Sequence, residues 1–352
     1  MQSNKAIVLI PSYEPEETLV NLTRGLKDLG FKVIVVNDGS DNRFNDIFKR
    51  TEVNAEIISY SKNKGKGEAL KTGFRYILEK HSDYDVVITA DGDGQHRIKD
   101  IERISDKSLK KDKIIVAERK FDVKVPIKSK IGNDLSKFTQ ATATYRYLND
   151  NQCGLRAFPM RYLKDMIRVG GSRYEYEMKV LSYLQNKEIN FETIYVQTIY
   201  ENNNSTTHFR PIKDTLLIQR SLVALNLVNI LLFALQAVGA FLFSEFVFKD
   251  NPFKYEIAMS LSFVGALLLE LILKSIIYRP KNVKKLIFRV VLIDLLVLVA
   301  VAVSITLFTR VLELSIFLSY LFCYLLIIFP LFYVVKGAAL VYGAQNSDDN
   351  EL

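Results

Sequence analysis

Tryptophan is absent from this chain, and cysteine and histidine nearly so, at two and three of 352 residues. Histidines at 81, 96 and 208 are too few for a His-based metal cage. The two cysteines fall apart in character, Cys153 in a polar stretch and Cys323 in an apolar one, so no structural disulfide is expected. A charged leader followed by an apolar core is also missing. Met1 leads straight into the strand-like run Ala6–Ile10, which predicts no secretory signal and a first domain left in the cytosol. Charge is scarce in the last part. Only 10 of the 47 Lys and Arg, and 9 of the 39 Asp and Glu, follow residue 220. Two domains are therefore expected: residues 1–220, a cytoplasmic α/β domain with juxtamembrane helices, and residues 221–352, an all-α membrane domain.

Four apolar stretches, at about 223–247, 257–278, 287–309 and 314–335, each reach the roughly 20 residues that span a bilayer as a helix. The connector between the second and third holds Arg279, Lys281, Lys284, Lys285 and Arg289 without an acid, and is predicted to be cytoplasmic. Four spans then bring the C-terminus back to the side of the first domain. Glu270, Lys274 and Asp294 fall inside the spans. They read either as a structural ion pair or as a functional polar site.

In the first 220 residues, strand-like runs at Ala6–Ile10, Lys32–Val36, Ala55–Ser59, Asp85–Thr89 and Lys113–Ala117 alternate with helical patterns at Glu16–Leu29 and Lys66–Lys80. That alternation predicts a mostly parallel sheet covered by helices, with ligands at the carboxyl ends of the strands. Polar motifs follow three of the strands directly. Thr89-Ala90-Asp91-Gly92-Asp93-Gly94-Gln95-His96 places two carboxylates two residues apart at a strand end. They can reach a hard divalent cation such as Mg²⁺ or Mn²⁺, which neutralises a departing diphosphate; the bland alternative is an acidic Gly-rich turn. Pro11-Ser12-Tyr13 and Asn37-Asp38-Gly39-Ser40 offer a ring and a carboxylate for a nucleoside, or plain turn chemistry. Asn63-Lys64-Gly65-Lys66-Gly67-Glu68 opens a helix and suits an anion, with Lys66 adding charge. It lacks a Walker A ending, so ATP hydrolysis is not implied. Residues Ile127–Leu148 have the spacing of an interfacial or a packed helix.

In order along the chain, PSY, VVNDGSDN, NKGKGEALKTGF, TADGDGQH, DNQCGLRAF and HFRPIKD resemble the motifs of family 2 glycosyltransferases. The resemblance covers about residues 5–220 and is to the branch acting on polyprenyl phosphates, which includes dolichyl-phosphate mannosyltransferases. It implies a GT-A (Rossmann-like) fold, a divalent metal and an inverting transfer from a nucleotide-sugar, with UDP as the expected nucleotide. By position it implies a metal and diphosphate site at Asp91, Asp93 and Gln95. The implied nucleotide pocket holds Pro11, Tyr13 and Asp38, with Lys66 and Asp91 beside it. Arg119 becomes a phosphate or sugar contact, Asp150 the base and Arg156 a phosphate ligand. Glu175 and Glu177 fall in the sugar-recognition helix, and His208, Arg210 and Lys213 where a lipid phosphate would arrive. The chain departs from the family pattern at Pro15, where many members carry Glu; Glu14 or Glu16 is the expected substitute.

The four-span unit resembles the GtrA-like domains fused to some of these enzymes. Processive polysaccharide synthases carry a QxxRW motif, which a chain without tryptophan cannot have. A phosphomonoester acceptor, ionised near pH 7, needs cations more than a strong base. Arg119, Arg156, Arg210 and Lys213 could supply them, and anionic headgroups are the competing explanation for the basic residues near the membrane. Expected partners are a nucleotide-sugar donor, a polyprenyl-phosphate acceptor and membrane lipids, with a second copy of the chain left open and no nucleic acid. A translocator or scaffold with a degenerate transferase domain is the alternative to the enzyme.

Overall fold

The computed structural model describes residues 5–119, 136, 137, 140, 141, 144, 147–197, 211–315, 318, 319 and 322, without some of the side chains in its later helices, those of 211–219 among them. Most of the expected helix at 127–148, His208, Arg210, Cys323 and most of the fourth expected span lie outside these residues; within 127–148, Ser136, Lys137, Gln140, Ala141 and Thr144 are helical.

The first part alternates β1 (Ala6–Ser12), α1 (Glu17–Asp28), β2 (Lys32–Asn37), α2 (Asn45–Glu52), β3 (Glu56–Ser59), α3 (Lys66–Lys80), β4 (Val86–Thr89), α4 (Ile98–Lys111) and β5 (Ile114–Arg119). After them come β6 (Arg156–Pro159), α5 (Leu163–Arg168), α6 (Glu175–Asn186) and β7 (Phe191–Val196). One sheet has the order β3-β2-β1-β4-β6-β5-β7. β6 alone runs antiparallel, paired Thr89↔Arg156 with β4 and Val116↔Arg156 with β5, so the sheet is mixed. β6 was not expected, because an arginine and a proline bound its two apolar residues and mask the strand pattern.

Side chains of β1 alternate between two cores, as a period of two requires. Val8 and Ile10 meet Leu19, Leu22 and Leu26 of α1 and Ile101 and Ile104 of α4. Ile7 and Leu9 meet Leu70, Phe74 and Ile77 of α3 and Val180, Leu181 and Leu184 of α6. With both faces covered, β1 and β2 read as unbroken apolar runs, the pattern of buried parallel strands.

The chain then enters α7 (Pro211–Leu242), α8 (Lys254–Tyr278) and α9 (Val283–Thr306). α7 is continuous through the boundary expected at residue 220. Two segments among the described residues, Leu227–Val247 and Lys254–Ile277, are long and apolar enough to cross a membrane. α9 has 24 residues, including Lys284, Lys285, Arg289 and Asp294. α8 packs on both α7 and α9, while Leu231, Leu235, Leu268 and Ile272 stay more than half exposed. The ionisable Glu270 and Lys274 are buried instead, joined at 2.5 Å, and Asp294 is buried too.

Candidate active site

β1 lies between β2 and β4, so the strand order turns at β1 and the loops leaving β1, β2 and β4 meet at one sheet edge. The first two loops are laced together. The Asp38 amide donates to the Ser12 carbonyl at 2.8 Å, and the Glu14 amide to Ser40 Oγ at 2.8 Å. Glu14 adopts φ +47°, a left-handed conformation that favours glycine and is held here by that bond. Tyr13 and Glu14 are half-buried at this edge, Pro15 is buried and Glu16 exposed, and Arg43 Nη2 lies 3.5 Å from Glu14 Oε1.

Asp38 does not face the crevice. Its carboxylate accepts from the Tyr60 hydroxyl at 2.5 Å and from the Lys64 and Gly65 amides, each at 2.8 Å. These bonds make Asp38, expected at the nucleoside, an anchor of the loop that opens α3. Gly65, at φ +99°, makes the turn into that helix. Burial, then the bond to Asp38, holds the Tyr60 phenol well above its ordinary pKa, so it stays a donor.

The first residue of α3 then reaches the centre of the site. Lys66 Nζ lies 2.6 Å from Asp91 Oδ1 and 2.9 Å from Glu177 Oε2. Burial opposes the Lys66 charge, but Asp91 and Glu177 outweigh it and raise its pKa above the ordinary lysine value. Burial likewise opposes ionisation of Asp91, and Lys66 and His96 outweigh it, so Asp91 stays below the usual carboxylate range. Asp93 moves the other way, pushed up by burial and then by the Asp91 charge. Its Oδ1 accepts from the Gln95 amide at 3.1 Å. His96 Nε2 sits 3.5 Å from Asp91 Oδ2. Gly154 closes the floor: a Cβ there would stand 2.9 Å from both Asp91 carboxylate oxygens and from Glu177 Oε1. Gly154 and the Lys66–Glu177 pair escaped the sequence reading, although each lies within a quoted motif or helix.

Three further expected site residues are tied into the fold. Asp150, the expected base, is buried, and both its oxygens are engaged by Arg119, with Nε at 2.6 Å and Nη2 at 3.1 Å. Burial opposes its ionisation, and Arg119 outweighs it, lowering its pKa. It suits an anchor for Arg119 better than a proton acceptor. Arg156, the expected phosphate ligand, is 2 % exposed within the sheet, with Nη1 donating to the Glu177 carbonyl at 2.7 Å and Nε to the Cys153 carbonyl at 3.1 Å. It braces the Cys153 and Glu177 backbones. Glu175 Oε1 accepts from the Ser172 and Arg173 amides, holding the turn before α6. Cys153 is buried and its thiol pushed up to about 12 by burial, which leaves it inert.

The Asp150 pair has a pH signature. Because the folded pKa of Asp150 is depressed, its stabilisation is complete above the unfolded value of about 3.9 and is lost as pH falls through the folded value. Asp150→Asn is expected to be less stable than the parent by about 2 kcal/mol at pH 7. Urea unfolding of the full chain in detergent should show that gap closing below about pH 4.

Residues 7–167 match the family model described as glycosyl transferase family 2. A UDP-N-acetylglucosamine–dolichyl-phosphate N-acetylglucosaminyltransferase of Methanococcus voltae is 29% identical over 216 residues, 55% of this chain and 85% of that one. A dolichyl-phosphate β-glucosyltransferase of Saccharomyces cerevisiae is 32% identical over 114 residues, 28% of this chain and 33% of that one. Glucosyl-3-phosphoglycerate synthase from Mycobacterium tuberculosis, solved with Mn²⁺ and UDP, aligns at 16% identity and TM-score 0.45, covering 63% of this chain and 78% of that one. That structural likeness is too loose to bear on the site.

Among the described residues, no three His, Cys, Asp or Glu side chains converge on a metal position. The donor set still fits a hard cation that takes one or two carboxylates and draws its other ligands from water and phosphate. Asp91 and Asp93 supply oxygens of that kind, and Asp91 already faces one positive charge, the Lys66 ammonium.

Proposed function

We propose that this chain transfers a hexose from a nucleotide-sugar, with UDP as the nucleotide, to polyprenyl phosphate at the cytoplasmic face of a membrane, inverting the anomeric carbon. The observation that carries the reading is the Lys66–Asp91–Glu177 cluster at the turning point of a family 2 sheet, on a chain that continues into inside-out helices. Charged side chains buried within a bundle whose apolar surface is exposed suit a lipid surrounding. The named relatives that act on dolichyl phosphate support the same acceptor class.

An ionised phosphate oxygen of the acceptor attacks the anomeric carbon, and the bond from that carbon to the diphosphate breaks, its electron pair leaving with the nucleoside diphosphate. The acceptor has no proton to lose at that oxygen, so the engagement of Asp150 is no obstacle. Mg²⁺ or Mn²⁺, held by Asp91 and Asp93 with Gln95 nearby, would supply charge neutralisation of the departing diphosphate. Lys66 and the amides at the start of α3 add positive potential there. Tyr13, Glu14 and Pro11 line the nucleoside side. Arg119, fixed by Asp150 at the end of β5, orients phosphate, and Glu177 keeps Lys66 in place. Lys213, at the start of α7, together with His208 and Arg210, meets the lipid phosphate.

The topology that accompanies this reading has four spans and both termini in the cytosol, with the catalytic part ending near residue 220. The product is a lipid-linked sugar for cell-envelope glycosylation. A second reading, movement of such lipids by the helical part, draws on the buried Glu270–Lys274 pair and Asp294.

The test is release of nucleoside diphosphate by the full chain in vesicles, from a panel of nucleotide-sugars with Mg²⁺ or Mn²⁺. Release that depends on undecaprenyl phosphate supports the transferase. Folded protein that binds the lipid but turns over no donor favours the second reading.

A further inference from the structure

α6 connects the site with the membrane helices. Glu177, in its first turn, holds Lys66 at 2.9 Å. Its other end, about 15 Å from Glu177 at the rise of an α-helix, meets the connector between α8 and α9. The Lys281 amide donates to the Lys187 carbonyl at 2.9 Å, and Lys187 Nζ to the Arg279 carbonyl at 3.1 Å. Arg289 Nη2 lies 2.5 Å from Glu188 Oε1, and the Glu188 side chain is fully buried. Lys281 also lies over the Tyr162 ring, 5.3 Å from its centre.

Both helix ends have a left-handed residue where glycine is the usual choice, Glu188 at φ +55° after α6 and Arg279 at φ +44° after α8. Neither is glycine, and each contributes to the contact, Glu188 through its carboxylate and Arg279 through its carbonyl. A strained backbone retained at both helix ends, beside an ion pair whose Glu188 is buried and whose Arg289 is half-buried, is difficult to attribute to capping alone.

We infer that Glu188 and Arg289 are positioning residues: they clasp the end of α6 to the start of α9, beside the α8–α9 connector, and so set the height and tilt of the Lys66–Asp91–Glu177 site over the membrane surface. The inference rests on the transferase reading, because it matters to turnover only if the acceptor is held in the bilayer. The nucleotide-sugar arrives from water and is indifferent to the clasp. The lipid phosphate is confined to one plane, so a site that can rock meets it less often in a reactive geometry.

The experiment uses the full chain in vesicles of neutral and anionic lipid, with Cys323→Ser as background. Cysteines at Lys187→Cys and Lys281→Cys are oxidised with copper phenanthroline, and the intrachain disulfide is read by mass spectrometry. The clasp requires this cross-link in the parent. Arg289→Gln and Glu188→Gln should each raise the apparent KM for undecaprenyl phosphate about tenfold. UDP affinity should stay unchanged, Arg289→Lys should recover part of the loss, and closing the cross-link in Arg289→Gln should restore KM. A missing cross-link overturns the clasp itself. A cross-linked, active parent whose Arg289→Gln variant keeps the parental KM overturns the positioning role alone. A parent that cross-links but transfers no sugar overturns that role through the failure of the transferase reading.

Discussion

Lys66→Met should lower the stability of the protein by about 3 kcal/mol and slow transfer at least about a hundredfold. Lys66 is the positive charge seen between Asp91 and Glu177, and all three side chains are at least two-thirds buried. Methionine fills the same space but leaves two carboxylates facing each other with little water between them. Removing one member of a buried ionic cluster leaves the others uncompensated, which is why the expected effect exceeds that of a surface pair. A divalent cation should replace part of the missing charge. Thermal unfolding of the full chain in detergent is therefore expected to show a larger rise in midpoint with Mn²⁺ in Lys66→Met than in the parent. Equal rises would mean that the cation does not bind at Asp91.

Gly154→Ala should reduce transfer about a hundredfold while altering stability much less. The added methyl would stand 2.9 Å from Asp91 Oδ1 and Oδ2 and from Glu177 Oε1. Those oxygens must move, and they carry the geometry of the site. The carboxylate ends can shift, so the fold tolerates the change better than the chemistry does. Turnover at saturating donor and acceptor, set beside a urea unfolding curve, separates the two effects. Parental turnover in a folded Gly154→Ala protein would mean that Asp91 and Glu177 need not be held so closely.

Motifs placed at strand ends were the most legible part of the chain. Asp91 and Lys66 could be assigned to one sheet edge because a polar run follows β4 directly and a Gly-Lys-Gly run opens α3. What local pattern could not convey was the direction of individual carboxylates. Asp38 stands beside Gly39 and Ser40 like a ligand contact, yet the backbone of Lys64 and Gly65 arrives to take both its oxygens. Asp150 and Arg156 sit in one motif and looked like a base and a phosphate ligand. Arg119 occupies the first, and the second is buried because its strand, β6, is inserted antiparallel between β4 and β5. Gly154 is silent in the sequence because its importance comes from what approaches it. In the helical part, buried Glu270 and Lys274 were legible as an i,i+4 pair, whereas the contact of Glu188 with Arg289 joins segments that no local spacing relates.

The central claim is that the sugar is passed to a lipid phosphate. The most direct measurement compares nucleoside diphosphate release by the full chain with undecaprenyl phosphate, with undecaprenol and with no lipid, using Asp93→Ala as the control. Release with the phosphate alone, abolished in Asp93→Ala, is the expected result. Equal release with undecaprenol, or release without lipid at the same rate, would contradict it.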